Sequence, residues 1–342
     1  MSNYGPASVG NIELQKALNG LSQKANGIPA TTGNVYFVIP STDSNYEEFY
    51  DRYQHIYQDG TYAVHNTIAD AYSAVTSNRH DLIMLSANSA HAQTSMLTIA
   101  KNRVHFAGFG FRGGSIGMGA RARITLGVTV ATTDVAVMKN TGIGNTFDNI
   151  KFDSGNTVAE GLYAVVEAGE YAIYRGCEFY LSSQLAVAGG AELAHNGDST
   201  QYIRCTFGSS INAIVGAIIR PCVTLTTALG GAGKFSIDTI FEECIFLRKC
   251  GNVANRFIYG ANATDVARFL WFKGCMFFSN PEGAATPALA IDMAAAQTAG
   301  AIVVDQNCLA VDVTLLATTA EGSYVVAPVA GTYADRGLAT NT

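Results

Sequence analysis

The residues best placed for acid–base chemistry form one short acidic cluster. Asp238, Glu242 and Glu243 lie close together in the chain, and Arg248 and Lys249 follow them. Grouped carboxylates can hold a Ca²⁺ ion against an acidic sugar, and a neighbouring Arg or Lys can take a proton from it. The cluster is therefore the candidate site for binding or cleaving a glycan. A solvated corner with surface ion pairs explains the same residues equally well.

A second set of carboxylates recurs at wider spacing. Asp148, Asp153 and Glu178 fall on successive copies of a repeat that is described below. Paired carboxylates facing one groove are what glycoside hydrolysis requires. Surface positions on separate turns of the chain are the alternative interpretation.

Histidine and cysteine spacing predicts neither a metal site nor a cofactor. The histidines show no HxH, ExxH or HxxxH pair, and the cysteines are odd in number with no CxxC pair. We therefore predict reduced, buried thiols that pack as small apolar side chains. The histidines are His55, His65, His80, His91, His105 and His195, and the cysteines are Cys177, Cys205, Cys222, Cys244, Cys250, Cys275 and Cys308.

Composition indicates a folded protein with a large core. Hydrophobic residues make up 48% of the 342 residues and charged residues only 14%. The net charge of −6 argues against binding to a nucleic-acid backbone, which needs clustered Lys and Arg. The most apolar stretch, 212–225, is interrupted by Gly216, Arg220 and Pro221, so we predict no membrane span. No secretory signal is expected from the first residues.

A repeat organises the second half of the chain. Each copy has an aromatic residue, two polar or small residues, a Cys or Ile, any residue, and then Phe. The copies follow one another at a variable interval of about 30 residues, and Val304–Cys308 is a degraded sixth copy. The five copies are Phe147–Phe152, Tyr174–Phe179, Tyr202–Phe207, Phe241–Phe246 and Phe272–Phe277.

The repeat predicts a β-solenoid. Such an interval, filled by very short strands, is typical of stacked coils, because loops inserted at the corners can vary in length. In each Cys-x-Phe triplet, Cys and Phe point to one face and the middle residue to the other. The sequence therefore predicts an interior ladder of Cys beside an interior ladder of Phe. About seven coils over 97–312 would make a rod on the order of 35 Å long. A β-sandwich with coincidental triplets is the alternative.

The amino-terminal third carries the helical signals. The spacing of Leu14, Leu18 and Leu21 predicts a short amphipathic helix over 11–24 that must dock on another surface. A strand is expected over 34–39, a helix capped by Ser44 over 45–58, and a helix capped by Thr67 over 68–77. Short strands are expected at 82–85, 97–99 and 104–106.

The sequence resembles the pectate-lyase-like family of right-handed parallel β-helix proteins. The ladder triplets and the segments Thr67–Ala71, Asp81–Leu85 and Leu97–Gly108 carry the resemblance, which covers about 67–312. It implies an all-β, right-handed parallel β-helix with a small amino-terminal α/β cap and extended terminal arms. The family's hydrolase motifs, such as Gly-His-Gly, are absent. We therefore expect no enzymatic activity, and a polysaccharide lyase or hydrolase is the alternative.

A narrower resemblance is to β-helix proteins of tailed bacteriophages, carried by Asn34–Val38 and Asp59–Ile83. It implies a virion structural protein assembled in the bacterial cytoplasm. We expect a capsid decoration or cement protein on the capsid surface. Its expected partners are the major capsid protein and further copies of the same chain, with which it would form a homotrimer. A tailspike or tail-fibre-like protein that binds or cleaves host surface polysaccharide is the alternative. A free intracellular lyase is the third.

The outward row of the repeat indicates where a partner binds. The middle residues run from Lys151 and Glu178 through Thr206 to Ile245 and Met276, so the row becomes apolar toward the carboxyl terminus. An exposed apolar strip marks a covered surface. We expect Ile245 and Met276, with the leucines of the amino-terminal arm, to lie in an interface. The cover is either residues 310–342 of the same chain or a neighbouring subunit. The predicted organisation is an arm over 1–32, a cap over 33–80, a β-helix over 81–312 and an arm over 313–342.

Overall fold

The chain folds into stacked coils of three short strands each. The structure is a computed structural model, and it describes residues 33–54, 56–112, 115–117, 121–126, 131, 133–155, 161–182, 189–214, 219–226, 236–280, 282, 285–293, 297–317 and 324–327. Leu14, Leu18 and Leu21, with the predicted helix over 11–24, lie outside the described residues. Each coil contributes one strand to each of three parallel sheets. The predicted solenoid is confirmed.

Among the described residues, the first sheet has twelve strands and extends furthest in both directions. The strands are β1 (Val35–Val38), β4 (Val64–His65), β5 (Leu82–Ser86), β8 (His105–Arg112), β9 (Ser115–Gly117), β12 (Thr146–Asp148), β15 (Ile173–Arg175), β18 (Gln201–Ile203), β21 (Ser236–Glu242), β24 (Val266–Lys273), β27 (Ala299–Asp305) and β29 (Tyr324–Ala327). Their order is β29-β27-β24-β21-β18-β15-β12-β8-β5-β1-β4, and β9 pairs with β8. Since β1 pairs with β5, the predicted amino-terminal strand extends this sheet.

In the part of the chain that the structure describes, the second sheet has eight strands and the third has seven. The second comprises β6 (Ala90–Gln93), β10 (Ala122–Leu126), β13 (Ile150–Ser154), β16 (Glu178–Leu181), β19 (Thr206–Ile214), β22 (Ile245–Cys250), β25 (Met276–Ser279) and β28 (Leu309–Val311). The third comprises β7 (Leu97–Ile99), β11 (Ala136–Asn140), β14 (Tyr163–Glu167), β17 (Ala191–His195), β20 (Val223–Leu225), β23 (Ile258–Gly260) and β26 (Ile291–Met293).

Corners between the sheets repeat one backbone conformation. Asn149, Gly176, Arg204, Glu243 and Gly274 occupy the corner between the first and second sheets, with φ of 52–60°. This left-handed conformation turns the chain within a single residue. The repeated corner keeps successive strands in register, so that like residues stack.

Two aromatic ladders fill the interior. Phe147, Tyr174, Tyr202, Phe241 and Phe272 stack at centroid distances of 4.6–5.2 Å. Phe152, Phe179, Phe207, Phe246 and Phe277 stack beside them at 4.5–5.6 Å. Rings of different ladders meet edge to face, which is a favoured aromatic geometry. The predicted Phe ladder is therefore confirmed, with a second aromatic ladder beside it.

The predicted cysteine ladder is also present. Cys177, Cys205, Cys244, Cys275 and Cys308 are all buried, and all seven cysteines are free. Each ladder thiol donates to the carbonyl of an aromatic residue on the preceding coil, at sulfur–oxygen distances of 3.2–3.5 Å. Cys therefore acts here as a small apolar residue that also bonds to a buried strand carbonyl.

The two helices of the cap are shorter than predicted. Helix α1 (Tyr46–Tyr53) ends early because Tyr57–Gln58 (β2) pairs with Thr61–Tyr62 (β3) in a two-stranded hairpin. Its turn, Asp59-Gly60, has positive φ at both residues, as a tight hairpin turn requires. The N-cap of α1 is Asn45, which makes no side-chain cap bond, instead of the predicted Ser44.

Helix α2 (Ile68–Ala74) closes the amino-terminal end of the core. The predicted Thr67 cap is present, since its side chain accepts a bond from the Asp70 amide. The helix ends before 77 because Val75 is extended and buried in the core. Lys101 Nζ then donates to the carbonyls of Tyr72, Ser73 and Val75, at 2.7–3.1 Å. This cation neutralises the helix carboxyl end and ties the helix to the first coil.

A polar ladder lies inside the coils, on the last residues of three strands of the third sheet. Asn140, Glu167 and His195 occupy equivalent rungs and are fully buried. The Glu167 carboxylate accepts bonds from the Tyr174 hydroxyl (2.5 Å), the Asn140 amide (3.0 Å) and the Gly169 backbone N–H (2.7 Å). Burial raises the pKa of Glu167 to about 7, although the bonds from Tyr174 and Asn140 oppose the rise.

His195 continues the polar ladder as a neutral side chain. Its ring nitrogens contact the Tyr202 hydroxyl at 3.0 Å and the Thr239 hydroxyl at 2.8 Å. Burial lowers the pKa of His195 to about 3.

Candidate functional site

The predicted acidic cluster is spread along one strand. Asp238 lies inside β21, at a register irregularity where its φ is positive; Glu242 ends that strand, and Glu243 occupies the corner that follows. The extended chain between Asp238 and Glu242 separates them by about 13 Å. The three carboxylates therefore do not converge on one point.

Each of these carboxylates pairs with a cation on a neighbouring coil. Asp238 pairs with Arg268, Glu242 with Lys273 at 2.6 Å and Glu243 with Arg204 at 2.8 Å. The bond from Arg204 lowers the pKa of Glu243, and the bond to Glu242 raises the pKa of Lys273. The cluster is thus a set of ion pairs between coils.

Arg248, the cation predicted to belong to that cluster, is instead on the buried side of β22. Its side chain is buried and pairs with the buried Glu192 of β17, with Nη1 to Oε1 at 2.8 Å. Its Nε also donates to the Arg220 carbonyl at 3.1 Å. Arg248 therefore braces the corner between the second and third sheets, and the structure does not place it with Asp238, Glu242 or Glu243.

The second set of carboxylates lies on two different sheets. Asp148 is on the first sheet and pairs with Arg175 at 2.8 Å. Asp153 and Glu178 are on the second sheet. They pair with Arg123 (2.7 Å) and with Lys151 (2.7 Å) and Arg121 (3.0 Å). These residues do not share one groove, and they too link successive coils.

The outer face of the second sheet becomes apolar toward the carboxyl terminus. Ile245, Met276 and Leu309 form one row and Leu247, Phe278 and Val311 the next, in register across β22, β25 and β28. Leu309 is 59% exposed and Val311 39%. We call these six residues the second-sheet patch. Ile245 and Met276 belong to it, and strand alternation turns both outward, as the sequence predicts.

The same coils carry a second apolar area on the first sheet. Ile240, Trp271 and Val303 stand in register on its outer face, with Phe269 beside Trp271. We call these four residues the first-sheet patch. None of the four was predicted as an interface residue, although Phe269 and Trp271 alternate with buried residues along β24 and thus carry a period-2 signal.

The described residues contain no group of three or more His, Cys, Asp or Glu side chains that is able to hold a metal ion. Within the same ranges, neither helix has the length and apolar character that a bilayer span needs.

Comparison with known proteins gives likeness in fold. No protein-family model matches the chain, and no curated protein matches it either. The pectate lyase Pel9A has a TM-score of 0.52 and 12% identity, over 82% of this chain and 64% of its own. Pectin methylesterase from Aspergillus niger has a TM-score of 0.49 and 14% identity, over 90% and 89%. ORF18 of Geobacillus virus E2 has a TM-score of 0.46 and 13% identity, over 95% and 60%.

At such low identity the likeness to Pel9A concerns the fold alone. The three parallel sheets, the stacked coils and this likeness make the chain a right-handed parallel β-helix protein of about seven turns.

Proposed function

We propose that this protein is a structural component of a bacteriophage particle, bound to the head as a decoration or cement protein. The observation that carries the proposal is the distribution of paired charges and exposed apolar side chains on the outer surface. The carboxylates that best fit glycan chemistry are engaged in ion pairs between coils, whereas the two apolar patches are partly or fully exposed. The resemblance of Asn34–Val38 and Asp59–Ile83 to phage β-helix proteins supports placement in a particle.

Such a rod would contribute stiffness to the phage head. Each coil is hydrogen-bonded to the next in three sheets, and the aromatic ladders continue over the five coils from Phe147 to Phe277. Stability in a solenoid is a sum over neighbouring coils. A rod of this kind, bound across several coat subunits, resists the deformation that internal pressure imposes on a shell.

We further propose that copies of the chain associate as a homotrimer through the two patches. The patches lie on the same coils, because β21 leads into β22, β24 into β25 and β27 into β28. A ring of copies needs two different surfaces at one level of the rod, since its contacts join unlike faces. The first-sheet patch of one copy then packs against the second-sheet patch of the next.

Oligomeric state tests this assembly directly. Analytical ultracentrifugation of the full chain should give a trimer, and Met276→Asp with Leu309→Asp should give a monomer with an unchanged circular dichroism spectrum. Thr206→Asp, in the same outward row outside the patch, is the matched control and should remain trimeric. A monomeric wild type would refute the trimer. A double variant that stays trimeric would refute the patch as its interface.

Head location is tested by copy number. Quantitative mass spectrometry of purified particles should find this chain at a symmetric multiple of the major coat protein, on the order of hundreds of copies. A few tens of copies would place it in the tail and refute the decoration role. Complete absence would refute both virion roles.

A tailspike or tail-fibre-like protein that binds host polysaccharide is the second candidate. Exposed tyrosines on the cap favour it. Tyr57 and Tyr62 are 60% and 59% exposed, with ring centroids 5.2 Å apart. Rings with an apolar face and a polar edge suit sugar binding. Retention on immobilised host polysaccharide that Tyr57→Ser with Tyr62→Ser abolishes would support this function.

A further inference from the structure

Three side chains on the outer face of the first sheet form a hydrogen-bonded chain. His105 opens β8 and Thr146 opens β12, and the two are register partners on adjacent strands. His80 lies two residues before β5, the strand on the other side of β8. It is exposed, with a positive φ of 64°. Three successive coils thus each supply one member.

The distances connect the three in one order. His105 Nδ1 lies 2.9 Å from Thr146 Oγ1, and His105 Nε2 lies 3.1 Å from His80 Nδ1. The planes of the two imidazole rings make an angle of 16°, and the ring centroids are 5.3 Å apart. The facing nitrogens therefore approach along the line between the rings, which is the geometry of an N–H···N bond.

One tautomer of His105 would let the three side chains act together as an activated nucleophile. With its proton on Nε2, His105 donates to His80 and accepts the Thr146 hydroxyl proton at Nδ1. A hydroxyl, a base in contact with it and a third group that orients the base are the parts of an activated nucleophile. Burial, reinforced by the nearby His80 and Arg175, lowers the pKa of His105 to about 4, and Asp81 opposes the shift. His105 is therefore neutral at neutral pH, which leaves the Nδ1 lone pair to accept the hydrogen bond from the Thr146 hydroxyl.

A cation lies on the strand next to Thr146 and acts electrostatically on His105. Arg175 lies on the next strand, where Ile173 is the register partner of Thr146 and Arg175 that of Asp148. Its Nη1 binds Asp148 at 2.8 Å, and 47% of its side chain is exposed. Where a guanidinium reaches the carbonyl oxygen of a bound ester, it stabilises the oxyanion that forms on attack.

We infer that Thr146, His105 and His80 act as nucleophile, base and positioning residue in the transfer of an acyl group from an ester. Thr146 Oγ1 attacks the carbonyl carbon while its proton passes to His105 Nδ1. The tetrahedral oxyanion collapses, the alkoxide leaves with that proton, and the acyl group remains on Thr146. Water then releases the acid by the same two steps, which restores the hydroxyl. The ligand class is a small acyl ester on an exposed alcohol, and the activity is additional to the structural role.

Acylation by p-nitrophenyl acetate tests the inference on the full chain. We expect a burst of p-nitrophenol and a single acetyl group, located at Thr146 by peptide mass spectrometry. Thr146→Val should lower the burst rate at least about 100-fold, and Thr146→Ser should retain it. Thr206→Val, an outward threonine on the second sheet, is the matched control and should behave as wild type.

Surface imidazoles also hydrolyse this ester directly, and the variants separate the two routes. If Thr146→Val keeps the wild-type rate, or if no acetyl group is found on Thr146, the inference is overturned. His80→Asn should lower the burst rate and shift the pH profile of acylation while the circular dichroism spectrum is unchanged. A His80→Asn profile identical to wild type would remove His80 from the positioning role.

Discussion

The coils near the amino terminus and those near the carboxyl terminus have the same interior and different exteriors. Inside, Phe152 and Phe179 stack much as Phe246 and Phe277 do, with centroids 5.6 Å and 4.9 Å apart. Outside, on the second sheet, the early coils carry Lys151 paired with Glu178. The late coils carry the second-sheet patch at equivalent positions.

This difference separates two kinds of constraint. An interior side chain must fit its neighbours on the coils above and below, so its type is repeated from coil to coil. An outward side chain faces water or a partner surface, so its type is free to change from coil to coil. On the early coils the chain satisfies its own charges, for example with Lys151 Nζ lying 3.9 Å from the centre of the Tyr180 ring. The late coils leave apolar side chains that only another surface can cover.

The interior should respond most strongly to change. Phe207→Ala should lower the free energy of unfolding by about 3–5 kcal/mol, because it leaves a cavity in a fully buried ladder. Tyr180→Ala, on the outer face, should cost less than about 1 kcal/mol. Guanidinium unfolding of the two variants measures both values, and equal losses would contradict the division between interior and exterior.

The polar ladder should make the interior sensitive to pH. The pKa of Glu167 rises from 4.5 to about 7 on folding, so between these values the unfolded chain is ionised while the folded chain stays protonated. Stability is thus fully present below pH 4.5 and falls by about 3 kcal/mol as pH rises to 7. Urea unfolding over this range should show that Glu167→Gln gains stability, relative to wild type, as pH rises.

His195 should give the opposite dependence of stability on pH. Its pKa falls from 6.5 to about 3 on folding, so its contribution is present above pH 6.5 and is lost as pH falls toward 3. His195→Gln, measured in the same series, should therefore gain relative stability as pH falls. The absence of either trend would show that the ladder residue in question is not held in the low-dielectric core.

Replacing one ladder thiol should have a smaller effect. Cys244→Ala removes the bond to the Tyr202 carbonyl, 3.2 Å away, together with a sulfur-sized volume. We expect a loss of about 1–2 kcal/mol. Cys244→Ser keeps a donor, so it separates the hydrogen bond from the packing. Chemical denaturation of both variants compares the two contributions.

The smallest effect is expected on the outside of the early coils. Lys151→Ala breaks the pairs with Glu178 and Tyr180, yet Lys151 and Glu178 are 25% and 21% exposed. The loss should be below about 1 kcal/mol and should shrink in high salt. Thermal melts at two salt concentrations measure it, and a loss as large as that of Phe207→Ala would contradict the comparison.

The interior could be predicted because it repeats. The Cys-x-Phe triplet specifies both the strand and the inward face, and the weak copy ending at Cys308 joins the ladder as well, with its thiol on the Phe272 carbonyl at 3.4 Å. Glu167 and His195 were missed because a single polar residue in a short strand gives no sign of being buried. Arg248 was misplaced because β22 alternates, which puts its charged side chain on the buried face opposite Leu247.

The site on the first sheet was missed for a different reason. His80, His105 and Thr146 lie on three different coils and are far apart in the chain, so metal or triad spacing within one segment does not reveal them. Only the stacking of coils turns these separations into neighbouring positions. A separation of roughly one coil length between polar residues is the signal that sequence reading can use in such folds.

The repeated corner makes the length of this protein adjustable in single steps. Removing residues 178–205 would connect Cys177 directly to Thr206, so the rod would lose one coil while the aromatic and cysteine ladders stay continuous. The same deletion removes Glu192, the partner of the buried Arg248, so that charge would need a new partner. The end-to-end distance would change by about 4.8 Å, the spacing of one strand. Gain or loss of whole coils would therefore change the length of the rod in steps of one strand spacing and leave the packing type of its interior unchanged.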